Sequence, residues 1–196
     1  DLVKAWLPPV ESMAVCLGLL GVFSSVMVYH VTRRIFWNGI RTFPKFMLTT
    51  VVGGTACLLF TGLLKAGLSP GETVSGDWIS LLGLICATGM FVKLSIESLV
   101  FWNLRDKTNT SLKRTARLHL EHMKHICITR FSCGVFGGLV VPLALAHASE
   151  QAVMSYGALA FLSGMGLLAL LVGELAERYL FFTAVVALKM PGRIPG

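Results

Sequence analysis

The sequence predicts an all-α polytopic membrane protein, a helix bundle with five transmembrane helices in a single transmembrane domain over residues 1–196. Three observations predict it. Of the 196 residues 55% are hydrophobic and only 14% are charged, whereas a soluble domain of ordinary composition carries roughly 25% charged residues. Apolar stretches recur at the length of about 20 residues that a helix needs to cross the hydrocarbon core. Lys and Arg fall in alternate connecting segments, as the positive-inside rule requires of a multi-pass chain. The same composition excludes a disordered chain, a collagen-like repeat and a disulfide-stapled secreted scaffold. Apolar residues dominate, the 20 Gly have no period, and the five Cys are odd in number.

Four stretches, 12–32, 46–64, 131–149 and 151–173, contain no Asp, Glu, Lys or Arg, and a fifth, 78–102, is interrupted only by Lys93 and Glu97. The spans are therefore placed at about 10–32, 45–66, 78–102, 131–148 and 155–182. A basic loop, 103–130, separates the third from the fourth. Within it Leu112, Ala116, Leu120, Met123 and Cys127 recur at helical spacing opposite Lys113, Arg117 and Lys124. That pattern fits an interfacial helix capped by Thr110 or Ser111, with an ordinary solvated basic loop as the alternative. Gly18 and Gly21, Gly53 and Gly54, Gly134 and Gly138, and Gly164 and Gly166 are candidate sites of close helix approach. Pro142 is expected to bend the fourth span.

Of the 17 Lys and Arg, fourteen lie between the first and second spans, between the third and fourth, or at and beyond the end of the fifth. Only Lys4 and Lys65 fall on the opposite side, and Lys93 is inside. Loops rich in Lys and Arg stay cytoplasmic, so the N-terminal end of the chain is expected outside and the C-terminus in the cytoplasm of an inner (cytoplasmic) membrane. The net charge of +7 is then a property of short loops beside membrane spans. It fits anionic lipid or an acidic partner subunit better than nucleic acid. The chain opens at Asp1 without a basic leader or a small-residue cleavage site, which reads as a processed product or a part of a longer polypeptide.

Haem of the b type needs His ligands from facing helices deep in the bilayer. His30 and His147 lie at span ends and His119, His122 and His125 in the basic loop, so no haem is expected. Nor is a metal, because His119, Glu121, His122 and His125 make only a weak signal and Cys16, Cys57, Cys86, Cys127 and Cys133 show no C-x-x-C spacing. No phosphate-cradling loop, H-E-x-x-H or nucleophile elbow appears, and no catalytic residue is assigned. Intramembrane charges are the better pointer, because a charge in hydrocarbon faces a partner or a cavity. Lys93 and Glu97 share one helix face. Lys93 lies at the depth of Glu174 on the fifth span, and Glu97 at that of Arg178, so a buried charge network between the third and fifth spans is expected. Such a network would suit proton movement or a polar headgroup near the inner leaflet; the alternative is that Lys93 snorkels and the pairs merely hold two helices together.

The stretch Tyr29-His30-Val31-Thr32-Arg33-Arg34-Ile35-Phe36-Trp37-Asn38-Gly39, continuing through Arg41-Thr42-Phe43-Pro44-Lys45 to Thr50, resembles the loop and following span of dimethyl sulfoxide reductase anchor subunits, the DmsC-like, NrfD-related group. The segment from Gly173 to Phe182, followed by Lys189-Met190-Pro191-Gly192, resembles that family's closing helix, and Lys93 to Glu97 falls where the family has polar residues in its sixth helix. The resemblance implies an eight-helix, cofactor-free subunit of which the five spans are helices four to eight. It implies transient quinone or quinol binding, an adjacent iron–sulfur electron-transfer subunit and a molybdenum catalytic subunit in a respiratory chain. The family's first three helices and their quinol-contacting His region have no counterpart here, so no quinone ligand is carried over. Under this reading Lys93, Glu97, Glu174 and Arg178 are quinone-proximal or proton-handling, and Arg33, Arg34, Trp37 and Arg41 dock the partner. The charge distribution favours the type that anchors cytoplasmic sulfite-oxidising enzymes. A dimethyl sulfoxide reductase-type anchor with periplasmic partners, a transporter, a haem-bearing cytochrome subunit and a purely structural anchor are the alternatives.

Overall fold

The computed structural model describes residues 2–32, 37, 39–69, 71, 73–105, 110–151 and 154–183; for residues 2–7, 41, 111, 150 and 151 it describes the backbone alone. Among the described residues 93% are helical and none is in a strand. The helices are α1 (Leu2–Val31), α2 (Gly39–Leu68), α3 (Gly76–Trp102), α4 (Ser111–Glu121), α5 (Lys124–Val135), α6 (Val141–Gln151) and α7 (Tyr156–Thr183). Five helical segments are long and apolar enough to cross a membrane: Pro8–Val31, Thr42–Leu68, Gly76–Arg105, Lys124–Ser149 and Tyr156–Thr183. The all-α class holds. The fourth span begins at Lys124 rather than at residue 131, because α5 runs through Arg130 before reaching the uncharged stretch.

The chain divides into two compact units, Asp1–Met47 and Leu48–Gly196. In the first unit, the end of α1 and the start of α2 meet through aromatic rings. Tyr29 packs edge-on against Trp37 and Phe46 at centroid distances of 5.5 and 5.8 Å, a geometry the ring quadrupoles favour. The Gly39 N–H, one of the amides left without an intrahelical acceptor at the start of α2, donates to His30 Nδ1 at 3.3 Å. His30 thus ties the two helices together, and a Cβ at Gly39 would lie 3.0 Å from that nitrogen. Gly18 and Gly21 have nothing within 4 Å of a built Cβ.

In the second unit the rest of α2, α3, α5 with α6, and α7 pack side by side. Ser75 starts α3 by accepting from Trp78 N–H at 3.2 Å, and Ser155 accepts from Ala158 N–H at 3.4 Å at the start of α7. Both are N-caps that the uncharged runs alone did not locate. Two apolar layers fill the interior. One gathers Leu59, Leu63, Ile79, Leu145 and Leu159, the other Val52, Cys86, Met90, Leu94 and Leu170.

Between α5 and α6 the helix widens into a π-turn, Phe136–Val140. Pro142 follows after Val141. It has no N–H for the carbonyl four residues back, which lies within this turn, and its ring crowds that carbonyl, so the widened turn is where the ladder accommodates it. The π-turn also sets three glycines against the neighbours. Cβ atoms at Gly134 and Gly138 would meet Leu94 at 3.1 Å and Met90 at 2.5 Å on α3, and one at Gly137 would meet the Gly166 carbonyl oxygen at 2.5 Å on α7. Within the second unit Gly53 and Gly54 have open space instead.

Candidate functional site

The charges that the sequence places inside the bilayer converge at the end of the bundle near α4. At ~1.5 Å per residue, Glu97 and Lys93 lie about 8 and about 14 Å along the axis from Trp102. They occupy successive turns of α3, with Lys93 Nζ 3.9 Å from Glu97 Oε1. Lys93 turns mainly toward α7, donating to Glu174 Oε1 at 2.6 Å and Oε2 at 2.5 Å. It also donates to the Thr49 hydroxyl of α2 at 2.6 Å. Thr49 in turn donates to Glu174 Oε2 at 2.9 Å, so one hydroxyl joins the ammonium to the carboxylate.

The fourth charged member is Arg130 on α5. Its Nε and Nη2 donate to the two oxygens of Glu97 at 2.8 and 2.7 Å, the parallel fork that makes Arg–carboxylate pairs strong and directional. Its Nη1 faces Glu174 Oε1 at 3.2 Å as an ion pair without hydrogen-bond alignment. Lys93, Glu174, Arg130 and Glu97 therefore form a closed ring of alternating sign whose formal charges cancel. Their side chains are 0%, 18%, 1% and 8% exposed respectively, so Glu174 is the member that reaches the edge of the cluster. Alternation explains how four buried charges coexist: each has an opposite charge on both sides, and the remaining hydrogen-bonding capacity goes largely to Thr49 and the Arg fork.

Gly173 makes room for this arrangement. A Cβ there would stand 3.2 Å from Arg130 Nη1 and 3.3 Å from Cys133 Cβ, so the Gly-Glu pair of α7 brings a carboxylate and an Arg-sized space together.

The expected approach of Lys93 and Glu174 is present. The expected pairing of Glu97 with Arg178 is not: Arg130 holds Glu97, and Arg178 Nε lies 3.9 Å from Glu177 Oε2 with 31% of its side chain exposed. Equal depth on two helices does not decide which side chains face each other, and α5 supplies a closer cation. Arg130 was assigned to the basic loop because the uncharged stretch starts one residue later. With Arg178 set against Glu97, the charges expected from the sequence already balanced, so the charge count did not point to Arg130. Thr49 had no signal either. Trp37 is half-buried against Tyr29, the Arg41 backbone lies in the first turn of α2, and Arg33 and Arg34 lie outside the described residues. His119 is buried on α4 whereas His122 and His125 are exposed.

The comparison with protein families decides the identity of the bundle. The family model described as DMSO reductase anchor subunit (DmsC) matches residues 10–184, which include all four ring residues. The chain belongs to the DMSO reductase anchor subunit (DmsC) family. No curated protein and no solved structure matches it significantly. As a DmsC family member it is a membrane anchor subunit of a molybdoenzyme, and its apolar helices make it an integral membrane protein. For a DmsC family anchor, the ring means that three helices, α3, α5 and α7, are tied by charge at one end of the bundle, with α2 joined through the Thr49 hydroxyl.

Proposed function

We propose that this anchor subunit exchanges electrons between the quinone pool and an iron–sulfur subunit that serves a molybdenum catalytic subunit, and that the ionic ring handles the accompanying protons. The observation that carries the reading is a charge-balanced ring, hydrogen-bonded through Thr49, with Glu174 as its more accessible member. Interconversion of quinone and quinol moves two electrons and two protons. The electrons pass to or from the iron–sulfur partner, and the protons need groups that can accept and return them near the headgroup. An ammonium, a hydroxyl and a carboxylate in one hydrogen-bonded chain have the donor and acceptor chemistry that suits quinone oxygens. Glu174 would take or release the proton at the edge of the ring, Lys93 and Thr49 would hold its carboxylate in place, and the Arg130–Glu97 fork would keep the local charge balanced.

The distribution of Lys and Arg supports catalytic partners on the cytoplasmic side, as in the sulfite-oxidising type, with Arg33, Arg34, Trp37 and Arg41 in the docking segment. A tag placed after Met190 is expected to be inaccessible from outside intact cells, and external labelling of it would remove the cytoplasmic-facing arrangement.

Glu174→Gln keeps the shape and the hydrogen-bond acceptor but cannot carry the proton. It is expected to lower quinol-linked turnover of the intact complex by one to two orders of magnitude, by roughly the 10²-fold scale of a positioned proton-transfer group. Turnover with an artificial dye that bypasses the anchor, compared per assembled complex, should be unchanged. Normal quinol-linked turnover in this variant would take Glu174 out of the mechanism. Failure of quinone analogues to compete at the intact complex would leave a structural anchor.

A further inference from the structure

The basic segment between α3 and α5 forms a surface that the ionic ring does not use. α4 has Thr110 as its N-cap, the hydroxyl accepting from Lys113 N–H at 3.2 Å. It buries Thr115, Ala116 and His119 against α3 and the short 3₁₀ turn Asn103–Arg105. Only His122 and Met123 separate it from α5, and both of their N–H groups bond back to the Leu118 carbonyl at 3.1 Å. α4 is thereby held at the ends of two candidate membrane spans, Gly76–Arg105 and Lys124–Ser149.

The outward side of this layer is both cationic and apolar. Arg114 and Arg117 are exposed on successive turns of α4, and Leu120 beside them is 43% exposed. At the end of α3 Trp102 is 67% exposed, and the exposed Arg105 guanidinium stands 4.7 Å over its ring. Exposed Leu and Trp among basic groups at a span boundary match the interfacial region of a bilayer, where acyl chains and anionic phosphates are in reach together.

We propose that the α4 layer is a binding surface for anionic phospholipid, in which Arg105, Arg114 and Arg117 engage headgroup phosphates while Trp102 and Leu120 sit at the acyl boundary. The site does not depend on quinone chemistry.

The test is native mass spectrometry of the intact complex released from nanodiscs of phosphatidylglycerol or of phosphatidylcholine. The wild-type complex is expected to retain phosphatidylglycerol preferentially, and less of it at high salt. Neutralising Arg105, Arg114 and Arg117 together to Gln should reduce that retention by on the order of a hundredfold, from about 1 kcal/mol per basic group at an anionic surface. The corresponding triple Lys variant should keep it and also reports whether the layer still folds. Equal retention of the two lipids by the wild type, or an undiminished preference in the folded Gln variant, would overturn the proposal. So would protection of these arginines from chemical modification by an assembled partner subunit in lipid-free detergent, which would make the layer a protein interface.

Discussion

Arg130→Met is expected to destabilise the second unit by about 3–5 kcal/mol, the usual cost of removing one partner from a buried pair. Methionine fills much of the arginine's space, so the loss is electrostatic. Glu97, 8% exposed, would retain only Lys93 at 3.9 Å, and Glu174 would lose its contact with Nη1. Both carboxylates would then share one ammonium in a setting where a bare charge is expensive. Unfolding of the purified complex in a denaturing-detergent titration measures the effect. Glu97→Leu in the Arg130→Met background should recover most of the loss, since two apolar groups of similar volume leave no orphan charge and Lys93 and Glu174 stay paired. A double-mutant cycle over the four proteins gives the coupling. If Arg130→Met alone left stability unchanged, the ring would not be what holds α3, α5 and α7 together.

The second large effect is expected at Gly137, which the sequence did not single out. Gly137→Ala puts a Cβ 2.5 Å from the Gly166 carbonyl oxygen and 2.9 Å from Leu170 N. Both are backbone atoms, which have no rotamer by which to withdraw, so α7 must move away from the π-turn. A loss at or above the upper end of the usual 1–3 kcal/mol for overpacking follows, readable in the same titration. Gly54→Ala is the matched control: its Cβ meets nothing within 4 Å, and the change should stay within about 0.5 kcal/mol. Equal behaviour of the two variants would mean that the approach of the π-turn to α7 is not tight. The contrast also shows why glycine pairs are weak predictors by themselves. Gly53 and Gly54 look like a packing motif and face open space within the second unit, whereas Gly137 beside the Gly134 and Gly138 pair meets the backbone of α7.

The ring shows the same division between pattern and packing. Lys93 and Glu97 were legible as partners of one face because 3.6 residues per turn fixes their spacing, and Glu174 because it falls at the depth of Lys93 on a parallel span. Arg178 met the same depth criterion for Glu97 but faces Glu177 instead, since depth does not specify azimuth. Arg130 lay hidden at a boundary. Charge patterning assigns an Arg beside an apolar stretch to the loop, yet α5 begins at Lys124 and carries Arg130 inward, where two carboxylates compensate it.

By itself the sequence determined the number of spans, the all-α class, the segregation of cations to alternate connections and the presence of charged residues within the membrane. These follow from the length of apolar runs and from the cost of moving charge across lipid, which are properties of each segment alone. The tertiary structure decided which charges meet, that Thr49 joins them, that the fourth helix widens before Pro142, and which glycines touch a neighbour. Each of these depends on helix rotation and on the shape of the facing surface, and neither is written in any one segment.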